Sequence, residues 1–202
     1  MPGRLGANQN NAPYKTVWYG TGLCTEYCTP QDIPNEKDGF KACTGFNHVV
    51  TVWRNFDVNT AYKICNKASN KCLDTLGNTA EGSAVVQKSY SGASSQKWNV
   101  LQVNPKQYKL VNVSTKKALD IYQKKIANAT PVIQTTYNGG SNQLWTLNSM
   151  ADTSGFYKVQ TVLNSTYSLN VPSSYVATEG KQLEEWAWNS SDTMKWLIVP
   201  AN

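Results

Sequence analysis

The chain has 202 residues, a formal net charge of +6 and only 16% charged residues. That length suits one domain, or one domain with an extension, and no stretch approaches the 18 apolar residues of a membrane span. The positive charge comes from 17 Lys and two Arg scattered along the chain, with pairs at Lys116-Lys117 and Lys124-Lys125; a nucleic-acid surface would cluster its cations and favour Arg, so no nucleic-acid partner is expected.

Residues 1–13 are polar and rich in Gly, Asn and Pro, and are expected to be disordered. They contain no apolar core of a signal peptide. Either the chain is not secreted by that route or it begins after a cleaved leader. A surface rich in Asn, Ser, Thr, Gln and Tyr suits an extracellular protein, which is the expected location.

Residues 14–60 form a cysteine-containing extension. Thr16-Val17-Trp18-Tyr19 and Val49-Val50-Thr51-Val52-Trp53 are strand-like and too apolar to stand free in water. Two added strands packed on the following domain are expected there. They would serve as a structural cap or as a docking surface for a protein partner. Cys24, Cys28 and Cys43 leave an odd count beside Cys65 and Cys72. Two of the three can pair, leaving one free or bonded to another chain. Alternatively, Cys24, Cys28, Cys43 and His48 offer four zinc ligands of suitable type. The reading adopted is a disulfide within 24–43 and no metal.

From residue 61 onward a segment occurs three times, over 61–106, 107–155 and 156–202. Tyr62-Lys63, Tyr108-Lys109 and Tyr157-Lys158 open the copies; Leu73-Asp74, Leu119-Asp120 and Leu169-Asn170 follow; Trp98, Trp145 and Trp196 close them. Self-similarity at a period of about 46 residues fixes the architecture before any single motif does. Alternating apolar and polar residues flank Asn, Ser, Lys and Gly turns, which reads as hairpins. About four short strands per copy, about twelve in all, predict an all-β threefold trefoil, because one copy cannot bury its apolar face alone. In the first copy Cys65 and Cys72 lie on opposite hairpin arms, where a cross-strand disulfide is possible. Leu110 and Ala118, then Gln160 and Ser168, are read as the corresponding residues.

A Leu-Asp after the first hairpin, an apolar-Gln step and a closing Gln-x-Trp (Gln96-Lys97-Trp98, Gln143-Leu144-Trp145) resemble the ricin-B-type lectins and the family 13 carbohydrate-binding modules. The resemblance covers 61–202 and implies a β-trefoil with one shallow sugar pocket per copy. It implies an Asp acceptor, an aromatic platform ten residues before the closing Trp, and an Asn before the Gln-x-Trp. The first copy then offers Asp74, Lys88 and Ser95. The second offers Asp120, Thr135 and Asn142, with Tyr122 and Tyr137 nearby as substitute rings. The third offers Asn170, Trp186 and Asp192. The pair Trp186 and Trp188 is expected on one face of an extended segment. Trp98, Trp145 and Trp196 are assigned to the core, and Gln96 and Gln143 to tying down the loop. The resemblance also implies a disulfide from the Leu-Asp strand to the loop before Gln-x-Trp; Tyr90 stands there, so that link cannot form.

Paired carboxylates drawn from Asp74, Asp120 and Asp192 would lie on different lobes, well beyond the ~5–10 Å a glycosidase needs. No phosphate-cradling Gly-rich loop is present. The reading is therefore a non-catalytic binder of galactose-, amino-sugar- or xylose-type glycans with no cofactor. The alternative is a trefoil without sugar binding, serving as a toxin-complex component or protease inhibitor.

Overall fold

The computed structural model describes residues 56–150 and 155–201. The expectations for residues 1–13, for the strands at 16–19 and 49–53, and for Cys24, Cys28, Cys43 and His48 lie outside the described residues.

Thirteen strands follow one another among the described residues. The first repeat holds β1 (Ala61–Asn66), β2 (Cys72–Asp74), β3 (Ser83–Ala84), β4 (Val86–Lys88) and β5 (Trp98–Asn104). The second holds β6 (Gln107–Asn112), β7 (Ala118–Ile121), β8 (Thr130–Thr135) and β9 (Trp145–Ser149). The third holds β10 (Phe156–Thr161), β11 (Tyr167–Asn170), β12 (Glu184–Ala187) and β13 (Lys195–Pro200). Strict alternation in β1 turns Tyr62, Ile64 and Asn66 inward, as the period-two pleat requires.

The first and last strand of each repeat close a six-membered antiparallel barrel. The ring runs β1, β5, β6, β9, β10, β13 and back to β1. Closure leaves these strands no free edge. Inside it sit Ile64, Leu110 and Val159 with the three closing tryptophans, all fully buried. Each indole Nε1 donates to the carbonyl of the Leu in the Leu-Asp/Asn step: Trp98 to Leu73 at 3.3 Å, Trp145 to Leu119 at 3.1 Å and Trp196 to Leu169 at 3.0 Å. A large ring can be buried at no polar cost only if its N–H finds such a partner.

The remaining strands make three hairpins, β2–β4, β7–β8 and β11–β12, that cap one end of the barrel. They meet in a ring of three backbone bonds on the threefold axis. Val85 N donates to Val132 O (3.2 Å), Val132 N to Leu183 O (3.0 Å) and Leu183 N to Val85 O (3.0 Å). This is a β-trefoil. Val85 turns its backbone to the axis, which splits the expected third strand of the first repeat into β3 and β4. For the same reason Gln182-Leu183 precede β12 rather than lie in it.

Buried asparagines staple the first repeat to the third and the second to the first; Thr161 stands at the corresponding end of β10. Asn66 Nδ2 donates to Thr193 O at 2.7 Å, and Asn112 Nδ2 to Ser95 O at 2.8 Å. Cys65 and Cys72 are disulfide-bonded and directly opposed. Their counterparts are Val111–Ala118 and Gln160–Ser168. The expected counterpart Leu110 is one position off; it points into the core, fully buried. Among the described residues no helix is long and apolar enough to cross a membrane.

Candidate functional site

In the second lobe, Asp120 near the end of β7 is 4% exposed. Its Oδ1 accepts from Asn142 Nδ2. Its Oδ2 accepts from Thr135 Oγ1 and, at 3.0 Å, from Gln143 Nε2. Three donors on a group with about four acceptor positions leave it held in place with one position open. Gln143 also reaches the backbone on both sides of Tyr137: its Nε2 donates to Thr136 O (3.0 Å) and its Oε1 accepts from Asn138 N (2.8 Å). One amide thus fixes the carboxylate and the ring-bearing loop relative to each other. Asn142 has a further requirement. A Cβ at Gly140 would lie 2.4 Å from Asn142 Oδ1, so glycine there leaves room for the amide.

The first lobe repeats the loop staple. Gln96 Nε2 donates to Ser89 O (2.9 Å) and its Oε1 accepts from Ser91 N (2.7 Å), the two residues flanking Tyr90. Asp74 Oδ1 accepts from Leu76 N at 2.7 Å. Ser95 contributes its carbonyl to Thr75 N rather than a side chain to Asp74.

The third lobe departs from this pattern. Met194 replaces the glutamine and is buried; Trp188 is held instead by its own N–H on Thr166 O at 2.9 Å. The short 3₁₀ turns Ser94–Gln96, Ser141–Gln143 and Asp192–Met194 each end two residues before the closing Trp, which corrects the place given to Asp192. Asp192 matches Ser94 and Ser141, one residue early. Thr193 holds the position of Ser95 and Asn142. Asp192 is exposed and pairs with Lys195 (2.7 Å) and Lys67 (3.1 Å), which hold its carboxyl below the usual range.

Ten residues before the closing Trp stand Lys88, Thr135 and Trp186, which pair across their hairpins with Cys72, Ala118 and Ser168. Thr135 spends its hydroxyl on Asp120, and Lys88 is exposed. An aromatic recurs in all three copies eight residues before the Trp, at Tyr90, Tyr137 and Trp188. Each ring is covered by the Lys of its own Tyr-Lys step: Lys63 at 4.5 Å, Lys109 at 4.4 Å and Lys158 at 4.4 Å from the centroid. Such stacking holds a ring upright. Tyr122, on the turn after Asp120, is 42% exposed.

Two acidic residues and one asparagine clamp the lobes together from outside. Glu81 of lobe one accepts from Thr136 N (2.8 Å) and Thr136 Oγ1 (2.6 Å) of lobe two and pairs with Lys117, whose bond lowers its carboxyl to about 2. Glu179 of lobe three does the same to Ser89 of lobe one. Asn128 of lobe two accepts from Ala187 N at 2.8 Å. Beneath the clamps lies the apolar-Gln step. Gln134 donates to Asn78 O (2.6 Å), and Gln87 to Tyr175 O (2.7 Å) and Thr178 O (2.8 Å). Glu185 takes this place in lobe three. It is fully buried, neither carboxylate oxygen has a partner, and burial pushes its carboxyl up to about 7.

This threefold architecture has close relatives. The family model described as ricin-type β-trefoil lectin domain-like matches residues 51–135. The designed threefold-symmetric protein ThreeFoil is 32% identical over 69% of this chain and 97% of its own, with a TM-score of 0.65. The chain belongs to the ricin-type β-trefoil lectin-like family. Within the same fold, an exo-β-1,3-galactanase from Clostridium thermocellum is 29% identical over 73% of this chain and 31% of its own (TM-score 0.66). The ricin B-like lectin of Macrolepiota procera, solved with lactose, is 17% identical over 72% of this chain and 99% of its own (TM-score 0.62), a likeness of fold. No curated protein matches the chain by sequence.

Proposed function

We propose that this chain is a carbohydrate-binding module that takes neutral sugars in shallow pockets, one per lobe, without catalysing their cleavage. The observation that carries the reading is the Gln143 amide, which bonds Asp120 and both backbone neighbours of Tyr137. A pyranose needs a fixed acceptor for adjacent hydroxyls and a ring face for its C–H patch, and Gln143 spaces the two. Gln96 holds the Tyr90 loop in the same way beside Asp74 in lobe one.

Each pocket is shallow, so single-site affinity is low and binding gains strength when several lobes engage a multivalent glycan. Galactose-, amino-sugar- and xylose-type ligands all fit an acceptor-plus-ring pocket. The galactanase likeness supports the same class of partner, since that enzyme is named for a galactan substrate.

A glycan array of the folded chain beside an Asp74→Asn, Asp120→Asn variant tests this. The reading expects binding to clustered neutral glycans that drops at least tenfold in the variant at unchanged circular dichroism. An array blank for the wild-type chain overturns it.

A further inference from the structure

Lobe three has lost the acceptor that lobes one and two keep. Asp74 and Asp120 are matched by Asn170, so the pocket there has no carboxylate in the usual place. The strand register shows where one has gone. Asp74 is paired across its hairpin with Val86, Asp120 with Ile133, and Asn170 with Glu184. The acid and the neutral residue have exchanged sides of the hairpin.

The exchange is chemically coupled. Directly paired residues project on the same face, about 4.5–5.5 Å apart. An Asp at 170 beside Glu184 would set two carboxylates against each other, and one would have to stay protonated. Asparagine turns that clash into a bond: Asn170 Nδ2 donates to Glu184 Oε1 at 2.8 Å. Asn170 is 5% exposed and its Oδ1 is buried without a partner. Glu184 is half-buried, and its Oε2 accepts no hydrogen bond from the described residues.

Glu184 also lines a cleft of about 260 Å³ with Pro172, Lys181 and Gln182 of its own lobe and Ala129 and Pro131 of lobe two. Lys181 stacks on Tyr175 at 3.9 Å, so its ammonium is held near the rim. Trp186 stands two residues along β12 from Glu184, on the same face of the strand.

We propose that lobe three binds its sugar through Glu184, with Asn170 as the positioning amide, in the cleft between lobes two and three. The inference rests on the sugar-binding reading above and assigns that function a residue outside the family pattern. The ligand class is a neutral pyranose presenting adjacent hydroxyls, one to Glu184 Oε2 and one to the rim formed by Lys181 and Gln182. The acceptor sits one strand spacing from its place in lobe two, so lobe three should rank sugars differently from lobe two.

The test is a titration of ¹⁵N-labelled full chain with galactose and, separately, xylose. It follows the indole N–H signals of Trp186 and Trp188 for lobe three and the Asn138 amide for lobe two. The variants are Glu184→Val, which copies Val86 of lobe one, the isosteric Glu184→Gln, and the swap Asn170→Asp with Glu184→Val, which rebuilds the lobe-one pairing. Glu184→Val is expected to weaken the Trp186 response at least tenfold with the Asn138 response unchanged. Glu184→Gln is expected to weaken it several-fold, and it serves should Glu184→Val fail to fold. The swap is expected to restore it.

A Trp186 response within twofold of wild type in the folded Glu184 variants, or a swap that restores nothing, overturns the assignment. So does a wild-type chain whose Asn138 responds while Trp186 does not. If neither responds in the wild type, the failure belongs to the sugar-binding reading itself.

Discussion

Gly140 and Asn142 are matched to each other: a Cβ on the glycine would stand 2.4 Å from the asparagine side-chain oxygen, nearer than any packed carbon approaches. The backbone at Gly140 has φ −64°, a value open to any residue, so the glycine is there for space. Gly140→Ala should therefore push the Asn142 amide off Asp120. Overpacking of this kind costs roughly 1–3 kcal/mol, and lobe-two sugar affinity should fall with it. Asn142→Ser, the residue of lobe one, should relieve most of the loss in the double variant. Urea denaturation of the four-member cycle measures the coupling.

Glu185 sets a pH dependence in which stability falls as pH rises toward neutral. Its carboxyl is raised from 4.5 to about 7 by burial, so the folded state holds the proton more tightly than the unfolded chain. Stability from this group is full below pH 4.5 and falls as pH rises to about 7. At about 1.4 kcal/mol per pH unit the loss is on the order of 3 kcal/mol. Glu185→Gln restores the residue used at Gln87 and Gln134. It should raise the thermal midpoint at pH 8 and change it little at pH 4; an equal gain at both would contradict the assignment.

Glu81 works on the acid side. Its bonds to Lys117 and Thr136 lower its carboxyl to about 2. The stabilisation is present above pH 4.5 and is lost as pH falls toward 2. The group is exposed, so the effect is modest and screened by salt. Glu81→Gln should narrow the difference between urea midpoints at pH 5.5 and pH 2.5, most visibly at low ionic strength.

Gln143→Ala removes the tie between Asp120 and the Tyr137 loop. Leaving the Thr136 carbonyl and the Asn138 N–H without their partner costs about 1–3 kcal/mol. The Asn138 amide should exchange with solvent markedly faster, read by hydrogen exchange. Ser91 in lobe one, tied by Gln96, should keep its rate.

The repeat was legible because its period rests on large residues. Trp98, Trp145 and Trp196 occupy equivalent core positions, and each needs the same Leu carbonyl, so the spacing survives where the surface has drifted. The ring at Tyr90, Tyr137 and Trp188 stands at a constant distance from the closing Trp, and alignment on that residue alone would find it. Counting ten residues back reaches Lys88, Thr135 and Trp186 instead. Asp192 lies one residue before the place of Ser95 and Asn142, and its lobe hides the offset because Met194 stands where the other two have Gln. Glu184 and Glu185 were hidden for a different reason. Their meaning lies in pairing with Asn170 across the hairpin and in the missing donors of the apolar-Gln step, and neither relation is local in sequence.

The central claim is one sugar pocket per lobe, built from an acceptor and a ring held by Lys. The most direct test is a galactose titration of the ¹⁵N-labelled chain at millimolar concentrations, repeated with N-acetylgalactosamine and xylose. The account predicts saturable shifts in three separate groups of signals, around Ser91, Asn138 and Trp188, at unchanged signals from the buried Trp98, Trp145 and Trp196 indoles. Spectra that stay still with all three sugars would contradict it.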